Sequence, residues 1–446
     1  MNKKSSHFGG TFLKGNVMLK SILSKLLAVT VAVSLTACLA SCGGGDSSSE
    51  SKAESSSAES SSAEDSSSEP EFVPTTDEEF YEMMKIKSLV STGNQNPMLD
   101  VIAKAKSGEE VTLAYIGGSI TEGLTAGADA CYAKLTTEYF TQKFGNGDNI
   151  KHVNAGLSGT PSILGTFRLE RDVLQYNPDV VFIEFAVNDG SDGTYTSAYE
   201  GIIRHIYNHN PNAAVVLLFA RTEDGYTAQN YMKEIGTYYN LPMISYADGL
   251  TYMFDNGKMT WKDFSDDQSH PNVEGHKVVR DMIAYYFDTV SAMEKNENDF
   301  KLSPIFLHSD SYENCHIIES DALTPENLGS WKEGSNINTF TKGWTYNKKI
   351  EGNQPLTFKL EAKNLYLLFK ENKGGNLGTV NVKITSEDGT VDEKPINGIT
   401  SGGWGNPTVS VLKLSQKKQT YTIEITMAEG SEEKLFEVLG FGYTLE

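Results

Sequence analysis

Between about Thr75 and Val290 the chain alternates short apolar runs with longer stretches whose apolar residues recur every three or four positions. A strand covered on both faces reads as an unbroken apolar run, and an amphipathic helix reads with a period near 3.6. The pattern predicts strands over 111–117, 152–156, 179–186, 214–220 and 241–247, with helical segments between them, among them 131–144, 166–176 and 274–287. Asn177-Pro178-Asp179 marks the turn into the third strand. From about Phe300 the period changes to two, as in Leu356, Phe358, Leu360 and in Val380, Val382, Ile384. Strands are predicted over 356–362, 365–371, 379–386, 407–414, 420–427 and 436–445, separated by Gly, Asn and Asp turns and without helices. The expected architecture is a three-layer α/β/α domain over 75–295 with a parallel sheet, followed by an all-β sandwich over 300–446.

Upstream the texture is different. Lys20 and Lys25 precede the apolar stretch LLAVTVAVSLTACLASC, which ends in small residues and Cys42 and reads as a signal peptide over 1–42. LTAC and LASC both resemble the lipobox of bacterial lipoproteins, which makes Cys38 and Cys42 candidates for lipid attachment. Cys42 is favoured because the flexible spacer GGGDSSSE follows it directly. The span 43–74 is mostly Ser, Glu, Ala and Asp, too poor in apolar surface to fold, and its acidic residues repel one another into an extended tether.

The chain has 446 residues and a net charge of -21, part of which sits on that tether. An acidic surface repels nucleic-acid backbones and anionic head groups, so no nucleic-acid partner is expected and the membrane is reached only through the lipid anchor. Of four cysteines, Cys131 and Cys315 lie in the folded part. They read as ordinary buried cysteines, with one bridge between domains as the alternative.

In an open parallel sheet the loops beyond the carboxyl ends of the strands converge on the ligand. Gly117-Gly118-Ser119 follows the first predicted strand, GLSGT (156–160) the second and Val187-Asn188-Asp189 the third, while DDQSHPN (266–272) precedes the last helix. In this order the four clusters resemble the SGNH or GDSL hydrolases over roughly Val111 to Tyr286. The resemblance implies a flavodoxin-like fold, Ser119 as nucleophile, His270 as base, Asp267 as its partner, and Gly159 and Asn188 beside the reacting oxygen. It also implies ester hydrolysis with no metal and no cofactor. Two positions depart from the family pattern: Gly118 stands where the family's name motif has Asp, and Ala186 where Gly is common.

The chemistry asks for the same residues. Serine needs an adjacent base to take its proton during attack, and histidine serves near neutral pH. A carboxylate three residues before His270 can reach the far ring nitrogen and fix the tautomer. The oxyanion needs donors from several directions, which the backbone N–H groups of Ser119 and Gly159 and the Asn188 amide can supply.

Other residues bear on binding. Trp331, Trp344 and Trp404 are candidates for stacking on sugar rings, although tryptophan in a sandwich more often sits in the core; Trp404 is foremost because it lies in SGGWGNP (401–407), and Trp261 is expected to line the cleft. His205 and His209, at i and i+4, lack a third metal ligand nearby, and His276 is expected to cap a helix or face solvent. Glu184 and Arg168 are expected in charged contacts near the sheet, without a catalytic role. The expected function is that of an extracellular serine esterase, a cell-surface lipoprotein of a Gram-positive bacterium, that removes O-acetyl groups from xylan- or mannan-type polysaccharide or oligosaccharide. The alternatives are a lipase, lysophospholipase or thioesterase acting on longer acyl chains, a non-catalytic sugar-binding surface protein, and an acetyltransferase.

Overall fold

The computed structural model describes residues 72–297, 301–350 and 352–446. The expected signal peptide over 1–42 with Cys38 and Cys42, and the tether up to residue 71, lie outside the described residues.

The chain enters through α1 (Asp77–Ser88), β1 (Leu89–Ser91), α2 (Asn96–Ser107) and β2 (Val111–Gly117), continuing into α3 (Ser119–Glu122), α4 (Tyr132–Phe144) and β3 (Ile150–Gly156). Next come α5 (Ser162–Asp172), β4 (Val180–Glu184), α6 (Gly193–His209), β5 (Ala214–Phe219), α7 (Gln229–Tyr238) and β6 (Met243–Ser245). Then α8 (Tyr246–Asp255), α9 (Trp261–Phe264) and α10 (Val273–Ser291) complete the α/β part. Its sheet runs β1-β6-β5-β4-β2-β3, with β2 to β6 parallel. Every residue of β2, β4 and β5 is buried, as their largely apolar sequences lead one to expect, with Thr112 and Glu184 as the polar exceptions. β1 is an antiparallel edge strand of three residues, too short to show a period. The order reverses at β2, which lies between β3 and β4, so the crevice of the doubly wound sheet opens beyond the ends of these strands.

Helices α1, α2, α4, α8 and α10 pack together, and α5, α6 and α7 form the other layer. α5 and α6 are buried nearly all round. A surface helix would expose one face, and this pair does not because the β-region covers it.

That region contains β7 (His316–Ile318), β8 (Trp331–Glu333), β9 (Trp344–Tyr346), β10 (Leu356–Ala362) and β11 (Leu365–Asn372). It continues with β12 (Thr379–Thr385), β13 (Val391–Asn397), β14 (Trp404–Lys413), β15 (Gln419–Met427) and β16 (Glu437–Tyr443). One antiparallel sheet is ordered β10-β15-β12-β13; the other is β14-β11-β16-β9-β8, with β7 also paired to β16. Both contribute to one core containing Phe358, Leu367, Val382, Ile423 and Phe441. Trp331 and Trp344 are buried in that core, so neither is a stacking platform.

β11 explains how the two parts join. Its residues Leu365, Leu367 and Phe369 face the sandwich core, while Tyr366 and Leu368 belong to a second cluster with Leu164 and Phe167 of α5. Phe167 seats against Gly442, where an added Cβ would lie 2.5 Å from its ring. Arg171–Glu319 (3.1 Å), Arg204–Glu313 (2.9 Å) and His316–Glu170 (2.6 Å) border this contact. Cys131 and Cys315 are both buried and free, so no bridge joins the two parts.

Candidate active site

β2 ends at Gly117, and the chain turns through Gly118 into α3, whose first residue is Ser119. The Ser119 Oγ lies 2.8 Å from His270 Nε2, and His270 Nδ1 lies 2.7 Å from Asp267 Oδ2. Ser119 precedes His270 by 151 positions, and the fold joins it to the local His270–Asp267 pair in one chain of hydrogen bonds. The Asp267–His270 loop is tightly braced. Asp267 Oδ1 accepts the N–H groups of Ser269 (2.8 Å) and His270 (2.7 Å), and Trp261 Nε1 donates to the Asp267 carbonyl at 2.6 Å. The buried Ser265 hydroxyl sits 2.9 Å from the Asp267 carbonyl and 2.6 Å from that of His270. Partial burial pushes the Asp267 carboxyl upward, but the hydrogen bonds from His270 and Ser269 outweigh it and hold the group below its ordinary value. The ionised carboxylate keeps the imidazole proton on Nδ1 and leaves Nε2 free to accept from Ser119.

Asn188 follows β4, with its N–H bonded to the Phe185 carbonyl at 2.9 Å. Its side chain lies against Gly118, where an added Cβ would stand 3.0 Å from Cγ. Asp189 is buried and organises the neighbouring loops: one oxygen accepts the Ser162 N–H at the start of α5 (2.7 Å), the other the Tyr231 hydroxyl (2.8 Å). Burial pushes its carboxyl up to about 7. Gly159 has φ +67°, a conformation that glycine adopts without strain.

The other predicted residues divide. Trp404, at the start of β14, is 56% exposed and its indole covers Gly159, where an added Cβ would stand 2.7 Å from Cε2 and 2.8 Å from Nε1. The β-region therefore reaches the candidate site. Trp261 is half-buried, packs on Phe254 and Phe264 and spends its N–H on the Asp267 carbonyl, so it braces the loop. His276 is fully buried, its Nδ1 accepting the Tyr132 N–H at 3.0 Å; burial, then the His270 charge, pushes it down to about 4. It does not face solvent, but it does cap a helix, since Tyr132 is the first residue of α4. His205 is buried and His209 exposed, and among the described residues no three His, Cys, Asp or Glu side chains converge to hold a metal ion.

Glu184, at the end of β4, has no exposed surface. Its Oε2 is 3.3 Å from Thr121 Oγ1, and its Oε1 has no hydrogen-bond partner among the described residues. Burial pushes its carboxyl up to about 8. The folded state thus retains a proton that the unfolded state releases near its ordinary value of 4.5. The associated stability is fully present below that value and is lost as pH rises toward 8, at about 1.4 kcal/mol per pH unit. Glu184→Gln, which cannot ionise, is expected to flatten the fall in melting temperature between pH 5 and 8. An unchanged slope would show that Glu184 does not carry it.

Residues 115–278 match the model of the GDSL-like lipase/acylhydrolase family. They are a domain of that family. This GDSL-like domain makes the protein an esterase of the SGNH type, with the four sequence clusters gathered at its crevice. A curated relative, thioesterase 1/protease 1/lysophospholipase L1 of Escherichia coli (strain K12), is 26% identical over 182 residues, 39% of this chain and 81% of its own. Two solved structures of a two-domain esterase active on acetylated mannans are 23% identical, each covering 81% of this chain and 98% of the other. The TM-score is 0.69 for the one co-crystallized with mannopentaose and 0.71 for its counterpart. That likeness is one of fold, and it extends beyond the GDSL-like domain to the two-domain arrangement.

Proposed function

We propose that the protein is a serine O-acetylesterase that deacetylates a mannan- or xylan-type glycan outside the cell. The observation that carries this reading is the chain of hydrogen bonds Ser119–His270–Asp267, at 2.8 and 2.7 Å, at the crevice of the sheet. Ser119 Oγ attacks the ester carbonyl while His270 Nε2 takes its proton. The new oxyanion is held by the N–H groups of Ser119 and Gly159 and by the Asn188 amide. Each such donor contributes about 3 kcal/mol to the transition state. The intermediate collapses as His270 returns the proton to the departing sugar hydroxyl, leaving acetyl on Ser119. Water, deprotonated by His270, then attacks that ester, and acetate leaves as Ser119 regains its proton.

Two observations support a glycan as the alcohol. Trp404 offers an exposed aromatic face beside Gly159, and the two-domain esterase that shares this fold acts on acetylated mannans. The leader and tether fit display at the cell surface through a lipid on Cys42. Acetate release from acetylated mannan and xylan, with p-nitrophenyl acetate and octanoate as small substrates, tests the reading. The acetyl ester should be turned over at least about tenfold better than the octanoyl ester, a difference of about 1.4 kcal/mol. Trp404→Ala should raise KM on the glycan by about tenfold and leave p-nitrophenyl acetate within about threefold. A preference for octanoate, or binding of glycan without acetate release, would overturn the proposal.

A further inference from the structure

Arg168, on α5, is 1% exposed, yet it is a full cation among apolar strands. Its Nη2 donates to the Gly117 carbonyl at 2.9 Å, and its Nη1 donates to the Ala155 carbonyl at 2.6 Å and to Asp172 Oδ2 at 3.2 Å. The Gly117 carbonyl also accepts the Leu157 N–H at 3.0 Å. Gly117 is two residues before Ser119, and Leu157 is two residues before Gly159. One side chain therefore ties together the two strand ends from which the nucleophile and an oxyanion donor depart.

Burying a guanidinium is costly, and desolvation does press on its proton affinity. The cost is tolerated where a planar fork holds acceptors on two separate nitrogens, a span that lysine's single nitrogen cannot cover. An apolar side chain of similar volume would leave the Ala155 carbonyl without this donor. None of these contacts touches the site that the substrate would occupy.

We infer that Arg168 is a positioning residue for acyl transfer: by clasping the Gly117 and Ala155 carbonyls it sets the separation between Ser119 and the Gly159 N–H group. The inference rests on the esterase reading proposed above. Misplacement of a reacting group by about 1 Å costs on the order of a hundredfold in rate, so the strut acts on kcat and leaves substrate affinity alone. An open cleft of about 620 Å³ borders Arg168, lined also by Arg171, Gln175 and Tyr176, so truncating Arg168 to Ala would open the vacated volume toward it.

The test uses the full-length protein and its Arg168→Lys and Arg168→Ala variants, with p-nitrophenyl acetate as substrate and kcat expressed per folded molecule from the cooperative thermal melt. Both variants are expected to lose on the order of a hundredfold in kcat with KM within about threefold of the parent. Methylguanidinium, but not tetramethylammonium, should restore Arg168→Ala by at least about tenfold. Where the Ala variant does not fold, the split between kcat and KM in the Lys variant decides. A folded Lys variant within about threefold of parental kcat, losses shared between kcat and KM, or a folded Ala variant that methylguanidinium does not rescue would each overturn the strut. An inactive parent would overturn the esterase reading and this inference with it; an active parent beside an equally active Lys variant would overturn only the strut.

Discussion

Ser119→Ala is expected to lower acetate release by on the order of 10⁴-fold or more while leaving the melting temperature and glycan binding near those of the parent. Ser119 is 6% exposed and its hydroxyl makes one side-chain hydrogen bond, to His270, which is only half-buried. Truncating it removes little packing and leaves no deeply buried group stranded, so the stability cost should stay within about 1 kcal/mol. The effect on rate is large because, among the described residues, the hydroxyl hydrogen-bonded to His270 Nε2 is that of Ser119. Acetate release and a thermal melt on the same sample check both halves. Undiminished release by the variant would remove Ser119 from the mechanism, and a parent without release but with retained glycan binding would support the non-catalytic alternative.

Removal of residues 301–446 is expected to destroy the fold of the GDSL-like domain, not merely its affinity for glycan. Leu164 and Phe167 on α5 have no exposed surface in the full chain, and Phe167 packs on Tyr312 and Tyr366 at ring distances of 6.2 and 4.8 Å. Uncovering each large apolar side chain costs about 1.5–3 kcal/mol, and a domain's whole margin is about 5–15 kcal/mol. Arg171 and Arg204 would lose Glu319 and Glu313 in the same step. Size-exclusion chromatography and a melting curve of residues 72–297 measure this. A monomeric fragment with a cooperative melt and parental turnover of p-nitrophenyl acetate would refute the expectation.

The contrast with the sequence reading is physical. The four clusters of the candidate site were legible because three follow predicted strands, two of them largely apolar, and the fourth precedes a strongly periodic helix, so their placement at one end of a sheet follows from chain order. β13 was not legible, since it is an exposed strand whose sequence VDEKPIN carries almost no apolar signal. Trp331 and Trp344 could be read as core or as platforms because alternation cannot tell which face of a strand points inward. The fold resolves that ambiguity by placing both in the core. Arg168, Glu184 and Ser265 gain their meaning only from contacts with backbone and side chains elsewhere in the fold. Trp404 lies 245 positions beyond Gly159, a separation that no local pattern bridges. The unbroken apolar run of β11 did hold a clue, since a strand in a free-standing sandwich would alternate where this one reads LYLLF.

Phe167 meeting Gly442 has a consequence for heredity and for engineering. A bulkier residue at position 442 would need the phenyl ring to retreat, and a smaller ring would leave a hollow, so the halves of this molecule are bound to change in concert. Grafting a foreign sugar-recognition module onto this hydrolase would fail unless the glycine-bearing strand and the ring that it receives were transplanted together.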